Sequence, residues 1–157
     1  MWNPLSLFKS KSNNLLSASD KQLLVQAIQA AEQTTSGEIR VYVESHIPKK
    51  QDALQRATAI FFNNKMNETK DRNGVLVYVA VEDKKLAVYG DQAIHEKVGI
   101  EFWYSQVQEM TAHFKAGGYV EGITKVVTEI GQALTHHFPY DRTTDVNELS
   151  DEIMVGK

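Results

Sequence analysis

Apolar and polar positions follow one another along the chain in a pattern that predicts helices and strands in turn. Apolar residues from Leu23 to Ala31 recur at helical spacing, and the same spacing returns within Asp52–Met66. Between these segments, Glu38–Glu44 places apolar residues at every second position, which is typical of a half-buried strand. The first part of the chain therefore predicts a helix, a strand and a second helix.

The centre of the chain predicts two further strands joined as a hairpin. Val75–Val81 is an unbroken apolar run bounded by turn residues, which is typical of a central strand covered on both faces. Glu82–Lys85 is a tight polar turn, and Leu86–Tyr89 follows as a third strand that ends at Gly90. Because the link is so short, the second and third strands are expected to run antiparallel.

The remaining chain predicts helices. Apolar residues at helical spacing mark one helix around Trp103–Phe114 and another around Ile123–Leu134, with two glycines between them. At the start of the first helix of the chain, Ser19 and Gln22 have the spacing of a capping box. The element order is therefore α-β-α-β-β-α-α.

This order predicts the fold class. The first two strands are separated by a helix, so we expect them to be parallel neighbours with a right-handed crossover. The result is an α/β fold: a three-layer α/β/α sandwich around a small mixed sheet of two parallel strands plus an antiparallel hairpin strand. We divide the chain into an N-terminal extension (1–14), one α/β domain (15–140) and an acidic C-terminal tail or short helix (141–157).

Composition narrows the chemistry that such a domain can perform. The chain has 157 residues, of which 42% are hydrophobic, and this suffices for one core. It contains no cysteine, which excludes disulfides, cysteine-ligated zinc, iron–sulfur clusters and thiol nucleophiles. The glycine-rich phosphate-binding motifs and the G-x-S-x-G nucleophile motif are also missing. Catalysis would have to come from carboxylates, histidines, hydroxyls or a metal held by oxygen ligands.

Charge and hydropathy argue against nucleic-acid and membrane-spanning roles. The formal net charge is −3, whereas nucleic-acid-binding domains usually carry a basic excess. The longest apolar run, Val75–Val81, is far below the roughly 20 residues needed to cross a bilayer. Met1–Ser12 lacks the apolar run of a signal peptide. We therefore expect a cytoplasmic protein with no transmembrane segment and no nucleic-acid partner.

The predicted strand directions gather polar loop residues at one edge of the sheet. Parallel neighbours start at the same edge, and an antiparallel third strand ends there. This places the carboxylates of Glu38, Asp71 and Asp91 near the amide of Asn73, with Arg72 among them. Oxygen ligands of this kind suit a hard cation such as Ca²⁺ or Mg²⁺, and an arginine can hold a phosphate bidentately.

Two interpretations of this edge stay open. In the first, the three carboxylates and the amide ligate a metal ion, and His95, one helical turn after Asp91, faces the same loops as a proton donor. In the second, they are ordinary turn residues that cap the backbone, and Arg72 neutralises a neighbouring acid.

Three segments of the sequence resemble the TPM domain, also called the TPM-phosphatase family. They are Thr35–Val41 (TSGEIRV), Arg72–Val79 (RNGVLVYV) and Tyr89–Val98 (YGDQAIHEKV). The later stretch Gly118–Ile123 fits the same pattern. The resemblance covers about residues 15–140, and three motifs in the right order are fairly specific.

The resemblance implies an α/β sandwich, divalent-cation binding and, for some members, acid-phosphatase activity. The first hypothesis is therefore a Ca²⁺- or Mg²⁺-binding TPM-type domain with weak metal-dependent phosphomonoesterase activity. In it, Glu38, Asp91 and either Asp71 or Asn73 hold the cation while Arg72 steadies the ester. The alternative is a non-catalytic interaction module whose loops or acidic tail bind a partner protein, with any cation only ordering the loops.

Overall fold

The computed structural model describes residues 15–140 and 151–156, together with the backbone of two short strands, Leu5–Ser6 and Phe8–Lys9, which pair antiparallel. The remainder of the expected N-terminal extension, and residues 141–150 and 157 of the expected acidic tail, lie outside the described residues.

A four-stranded mixed sheet forms the centre of the domain. Its strands are β1 (Glu38–Glu44), β2 (Gly74–Ala80), β3 (Lys85–Gly90) and β4 (Met154–Val155), in the order β3-β2-β1-β4. β1 and β2 are parallel and β2 and β3 antiparallel, so the strand directions expected from the sequence are confirmed.

The fourth strand differs from the expectation for the C-terminal segment. We expected an acidic tail or a short helix at 141–157, but Met154 and Val155 pair in parallel with Tyr42 and Val43 of β1. The backbone N–H of Gly156 also donates to the carbonyl of Val43 at 2.7 Å. Two residues are too few to show the alternation that identifies a strand in a sequence, which is why the pattern missed β4.

Helices cover both faces of the sheet, which confirms the three-layer α/β/α architecture. One face carries most of the helices, and their packed side chains form the larger core with residues such as Val41 and Val77. The other face packs Leu76 and Tyr78 against one α-helix and Met66 of a short 3₁₀ helix, and forms the smaller core. The helices are α1 (Ala18–Glu32), α2 (Ala53–Asn63), α3 (Gln92–Val98), α4 (Ile100–Lys115) and α5 (Tyr119–His137), with a short 3₁₀ helix at Met66–Glu68.

Two helix starts differ from the sequence pattern. The capping box of α1 is formed by Ser17 and Asp20, not by Ser19 and Gln22, because the helix begins two residues earlier than that pair requires. After β3 the chain forms the short helix α3, which Gly99 separates from α4. Gly99 has a φ of +79°, a conformation that glycine adopts without strain.

Close packing of α1 against α5 fixes the position of the loop that enters β1. A Cβ atom at Gly131 of α5 would lie 2.6 Å from the Cβ of Ala31 in α1, so only glycine permits this approach. α1 ends at Glu32, one residue after this contact; Ser36 follows in the loop, and β1 begins at Glu38. The helix pair thereby holds the first of the three polar loops in place.

Candidate functional site

The three loops meet at one end of the sheet, as the strand directions predicted. Glu38 at the start of β1 is in register with Gly74 at the start of β2. The backbone N–H of Asp91, directly after β3, donates to the carbonyl of Gly74 at 2.9 Å. The loops before β1, before β2 and after β3 are therefore neighbours through main-chain contacts.

A chain of side-chain hydrogen bonds links the first two loops. The hydroxyl of Ser36 donates to Asp71 Oδ2 at 2.8 Å and accepts from Asn73 Nδ2 at 3.1 Å. Asn73 is fully buried, while Ser36 and Asp71 are half-buried. The bonds fix the orientation of the Asn73 amide, since its nitrogen must face Ser36.

Two buried oxygens in the loop before β2 have no hydrogen-bond partner among the described residues. They are Oδ1 of Asn73 and Oγ1 of Thr69. A buried polar atom without a partner costs about 1–3 kcal/mol, so such atoms in a native fold call for a specific explanation. The unpaired oxygen of Asn73 is a hydrogen-bond acceptor, and the amide that carries it is linked through Ser36 to the carboxylate of Asp71.

Arg72, in the loop before β2, and Asp91, directly after β3, form a bidentate ion pair. Arg72 Nε lies 2.8 Å from Asp91 Oδ2, and Nη2 lies 3.0 Å from Oδ1. The Asp91 side chain is only 2% exposed, whereas that of Arg72 is 39% exposed. Hydrogen bonding to Asp91 raises the pKa of Arg72. The second interpretation, in which Arg72 neutralises a neighbouring acid, therefore describes this pair.

Backbone geometry at Arg72 brings its side chain back to Asp91. Arg72 has a φ of +52°, a left-handed conformation that is uncommon for residues other than glycine. Its carbonyl accepts the N–H of Ala93 at 3.0 Å, which ties the loop to α3. Residues in such conformations concentrate at functional sites, where surrounding contacts hold them.

Asp91 also caps α3, so its oxygens have several partners already. Asp91 Oδ1 accepts the backbone N–H of Gln92 at 2.7 Å in addition to Arg72 Nη2. The described residues contain no group of three or more histidine, aspartate or glutamate side chains arranged to hold a metal ion. Of the expected ligands, the structure links Asp71 and Asn73 through Ser36 and directs Asp91 to Arg72 instead.

A second group of carboxyls surrounds the start of β1. Glu32 Oε2 accepts the backbone N–H of Ile39 at 2.8 Å. Burial, a hydrogen bond with Asp151 and the negative charge of Glu38 raise the pKa of Glu32 to about 10. Glu32 is therefore protonated at neutral pH, and Glu38 itself is buried with 2% of its surface exposed.

His95 lines the same cavity as Arg72 and Asp91 of the expected loops. It lies on α3, and its Nδ1 accepts the indole N–H of Trp103 at 3.0 Å. This bond leaves Nε2 as the protonated nitrogen of the neutral ring. The indole of Trp103 in turn covers Gly90, where an added Cβ would lie 2.3 Å from Trp103 Cζ2.

Replacing Gly90 by alanine should therefore displace Trp103. We expect Gly90→Ala to lower the free energy of unfolding by about 1–3 kcal/mol, as overpacking does, and to shift the Trp103 fluorescence through loss of the His95 bond. The measurement is urea unfolding followed by tryptophan emission, in a Trp2→Phe background. Gly118→Ala is the control, because there the nearest neighbour is the far end of the Glu121 side chain. Equal effects of the two substitutions would contradict the packing role of Gly90.

Comparison with known proteins identifies the family. The family model of the TPM domain matches residues 10–133, which is most of the chain. The chain belongs to the TPM domain family. No curated protein sequence matches it.

Solved structures agree with this assignment at the level of the fold. This TPM domain is similar to the BA42 protein of the psychrophilic bacterium Bizionia argentinensis, with 39% identity over 89% of this chain and 94% of that one, and a TM-score of 0.81. It shares the fold of the N-terminal domain of a protein from P. gingivalis (18% identity, 81% and 83% covered, TM-score 0.64). The N-terminal domain of the cg2496 protein of Corynebacterium glutamicum also shares the fold (12% identity, 77% and 75% covered, TM-score 0.61).

Some of the oxygen atoms in the loops before β1 and β2 and after β3 of this TPM domain are suited to ligate a hard cation, and others are not. Asn73 Oδ1 is a buried oxygen without a hydrogen-bond partner among the described residues, and Asp71 supplies a carboxylate on the same hydrogen-bonded chain. Calcium and magnesium prefer such oxygens. Asp91 does not fit as a ligand while it stays paired with Arg72, because both of its oxygens already accept hydrogen bonds.

Sequence reasoning missed several residues that organise the TPM domain. Ser36 joins Asp71 to Asn73, and only its place beside Gly37 in the loop before β1 could have indicated this. Glu32 has no sequence signal, since its position at the end of α1 is typical of a solvated residue. His46 was assigned no role, yet its Nδ1 lies 3.0 Å from Asp83 Oδ1. The hydrogen bond to His46 lowers the pKa of Asp83.

We compared the length and hydropathy of each described helix with those of a membrane-spanning helix. In residues 15–140 and 151–156, no helix is both long and apolar enough to cross a bilayer.

Proposed function

We propose that this TPM domain binds a divalent cation, Ca²⁺ or Mg²⁺, at the loop edge before β1 and β2. The observation that carries the proposal is Asn73 Oδ1, a buried oxygen without a hydrogen-bond partner among the described residues. Its own amide nitrogen is bonded to Ser36, so the oxygen cannot turn away to find another partner. A bound cation would remove the cost of burying that oxygen.

Asp71 is the second ligand in this proposal. It shares Ser36 with Asn73, and its carboxylate is half-buried, so it supplies negative charge without full desolvation. Glu38, a buried carboxylate at the start of β1, is the third oxygen donor that the sequence offered. In the first hypothesis Asp91 was a cation ligand. In this proposal it instead holds Arg72 in place and caps α3.

We further propose that the bound cation supports weak phosphomonoesterase activity. A cation at the loop edge would polarise a phosphoryl oxygen and acidify a bound water. Arg72 directs Nε and Nη2 to Asp91, which leaves Nη1 for an anionic ester. His95 is exposed and carries its hydrogen on Nε2, from which it donates a hydrogen bond to the ester; to act as the proton donor it must first become imidazolium, which breaks the bond that Nδ1 accepts from Trp103.

A second candidate function is a non-catalytic interaction module whose loops are ordered by the cation. The observation that favours it is the ion pair between Arg72 and Asp91. These are two groups expected to act on a substrate, and in the ion pair each neutralises the charge of the other. In this alternative the cation stabilises the loops and a partner protein binds the ordered surface.

Titration with CaCl₂ or MgCl₂ tests the cation site. We expect saturable shifts of the Ser36, Asp71 and Asn73 amide signals in two-dimensional NMR. Asp71→Asn should weaken the affinity by about tenfold or more, because a carboxylate ligand is lost while the acceptor for Ser36 is kept.

Asp83→Asn is the matched control for this titration. Asp83 is a partly exposed carboxylate in the turn between β2 and β3, at the opposite end of the sheet. We expect its affinity to stay within about twofold of the parent protein. Amide signals that do not move, or equal affinities for the two variants, would exclude this site.

Hydrolysis of p-nitrophenyl phosphate separates the two candidate functions. An enzyme should show cation-dependent hydrolysis that Asp71→Asn reduces at an unchanged NMR fingerprint; Asp91→Asn should reduce it too, with amide shifts confined to the Arg72 loop and the start of α3. A binding module should show cation binding with no hydrolysis above buffer. Equal hydrolysis by the parent and both variants would identify a contaminating phosphatase.

A further inference from the structure

An apolar groove runs along the free edge of β3. β3 is the outermost strand of the sheet on that side, and no described strand pairs with its outer edge. α2 packs on one face of β3 and α4 on the other, and side chains from both helices line a cavity of about 560 Å³ over the strand. The groove therefore has a strand edge as its floor and a helix on either side.

The walls of this groove hold most of the exposed large apolar side chains of the described residues. Leu54 and Phe62 of α2 are 55% and 44% exposed, and Ile100 and Tyr104 of α4 are 62% and 63% exposed. Two others lie elsewhere, on α1 and after α5. Clusters of exposed apolar side chains in one concave surface mark binding sites more often than scattered ones do.

The floor of the groove presents unpaired main-chain groups. Antiparallel pairs alternate between residues that exchange hydrogen bonds and residues that do not. Because Asp91 N–H bonds to Gly74, the residues of β3 whose N–H and C=O point away from β2 are Gly90, Val88 and Leu86. An unpaired edge of this kind is a template for an added strand.

Charge distinguishes one end of the groove from the rest. Arg72 and Asp91 are the charged residues of the lining, and of the two only Arg72 is substantially exposed, at 39% against 2%. The exposed charged group at the carboxyl end of β3 is therefore the guanidinium of Arg72, whose Nη1 is not used in its two bonds to Asp91. An acidic side chain fits there.

We propose that this groove binds an extended peptide segment of a partner protein. The peptide adds an antiparallel strand to β3, and its apolar side chains pack against the exposed apolar residues of α2 and α4. An acidic residue near the amino end of the peptide lies beside Arg72. An antiparallel peptide starts where β3 ends, so its amino end meets Arg72. A second copy of this chain fits less well, because symmetric antiparallel pairing would bring Lys84 and Lys85 of one copy towards Arg72 of the other.

The experiment uses the full chain and an end-blocked peptide of eight residues that begins with two glutamates and continues with alternating valine and threonine. We expect saturable NMR shifts at the amides of Leu86, Val88 and Gly90, independent of added cation. Moving the glutamates to the carboxyl end, or replacing them by glutamine, should weaken binding by about fivefold or more.

Backbone methylation tests strand addition directly. Methylating the amide nitrogens of one alternating set of peptide residues should lower the affinity by about tenfold or more, because those amides face β3. Methylating the other set should change it by less than about threefold. Equal weakening by the two sets would overturn the proposal.

Protein variants test the walls without disturbing the core. Phe62→Ser and Ile100→Ser should each weaken peptide binding by about fivefold or more, while Leu23→Ser, which removes an exposed apolar side chain from α1, should leave it unchanged. Three outcomes would overturn the proposal: no shifts at peptide concentrations of about 1 mM, decanoate binding as tightly as the peptide at the same amides, or a concentration-dependent dimer in sedimentation that the peptide does not disrupt.

Discussion

Replacing Arg56 by methionine should lower the free energy of unfolding by about 3–5 kcal/mol. The cause is Glu44, whose side chain at the end of β1 is only 4% exposed. Arg56 Nε and Nη2 lie 2.8 and 3.0 Å from the two Glu44 oxygens. The hydroxyl of Tyr78 donates to the same carboxylate, and burial together with this bond to Glu44 raises the pKa of Tyr78. Without Arg56, the side-chain donor that the buried carboxylate keeps among the described residues is the neutral hydroxyl of Tyr78.

A double-mutant cycle isolates this ion pair. In the Arg56→Met, Glu44→Gln protein the buried charge is gone, so we expect most of the loss to be recovered, to within about 1–2 kcal/mol of the parent. Lys125→Met is the control, because Lys125 is 53% exposed and lies 3.8 and 3.9 Å from its acidic partners, which makes a loss above about 0.5 kcal/mol unexpected. Urea unfolding followed by circular dichroism measures five proteins: the parent, Arg56→Met, Glu44→Gln, the double variant and Lys125→Met. If the double variant is no more stable than Arg56→Met, the buried charge is not the cause.

Replacing Glu32 by glutamine should stabilise the protein at pH 8 by about 2–4 kcal/mol and have little effect at pH 4. The pKa of Glu32 is about 10 in the folded protein against 4.5 as the ordinary value. Between these values the folded protein keeps a proton that the unfolded chain has released, so stability falls by up to about 1.4 kcal/mol for each unit that the pH rises. Glutamine keeps an acceptor for Ile39 N–H and a donor for Asp151 without this cost.

The measurement is the unfolding free energy of both proteins from pH 4 to pH 8, in EDTA so that no cation contributes. The two curves should meet near pH 4 and diverge as the pH rises. Glu96→Gln, an exposed carboxylate on α3, should give a curve parallel to the parent. Parallel curves for Glu32→Gln would mean that Glu32 is ionised in the folded protein.

Much of the sheet could be predicted because strand direction depends on connection length and apolar pattern, which are local properties. The helix between β1 and β2 required them to be parallel, and the short turn before Lys85 required a hairpin. The meeting of three loops at one edge follows from these directions alone. β4 could not be predicted in this way, since its two residues carry no periodicity.

The partners of the loop residues depend on details that no spacing reveals. Asp91 bonds to Arg72 because Arg72 adopts a left-handed conformation that its residue type does not suggest. Asp71 and Asn73 meet through Ser36, whose hydroxyl can serve both as donor and as acceptor. Glu32 is protonated because tertiary packing buries it beside other acids. The sequence thus predicted which loops converge, but not which side chains in them pair.

The position of β4 has a consequence for synthesis of the protein. Tyr42 pairs with Met154, so β1 remains an open edge of the sheet while the helices between them emerge from the ribosome. Non-local contacts of this kind form late, and an exposed strand edge is a place where nascent chains associate with one another. Lengthening the time before residues 154–155 appear, for example by placing slow codons after α5, should therefore increase co-translational aggregation without altering the folded state.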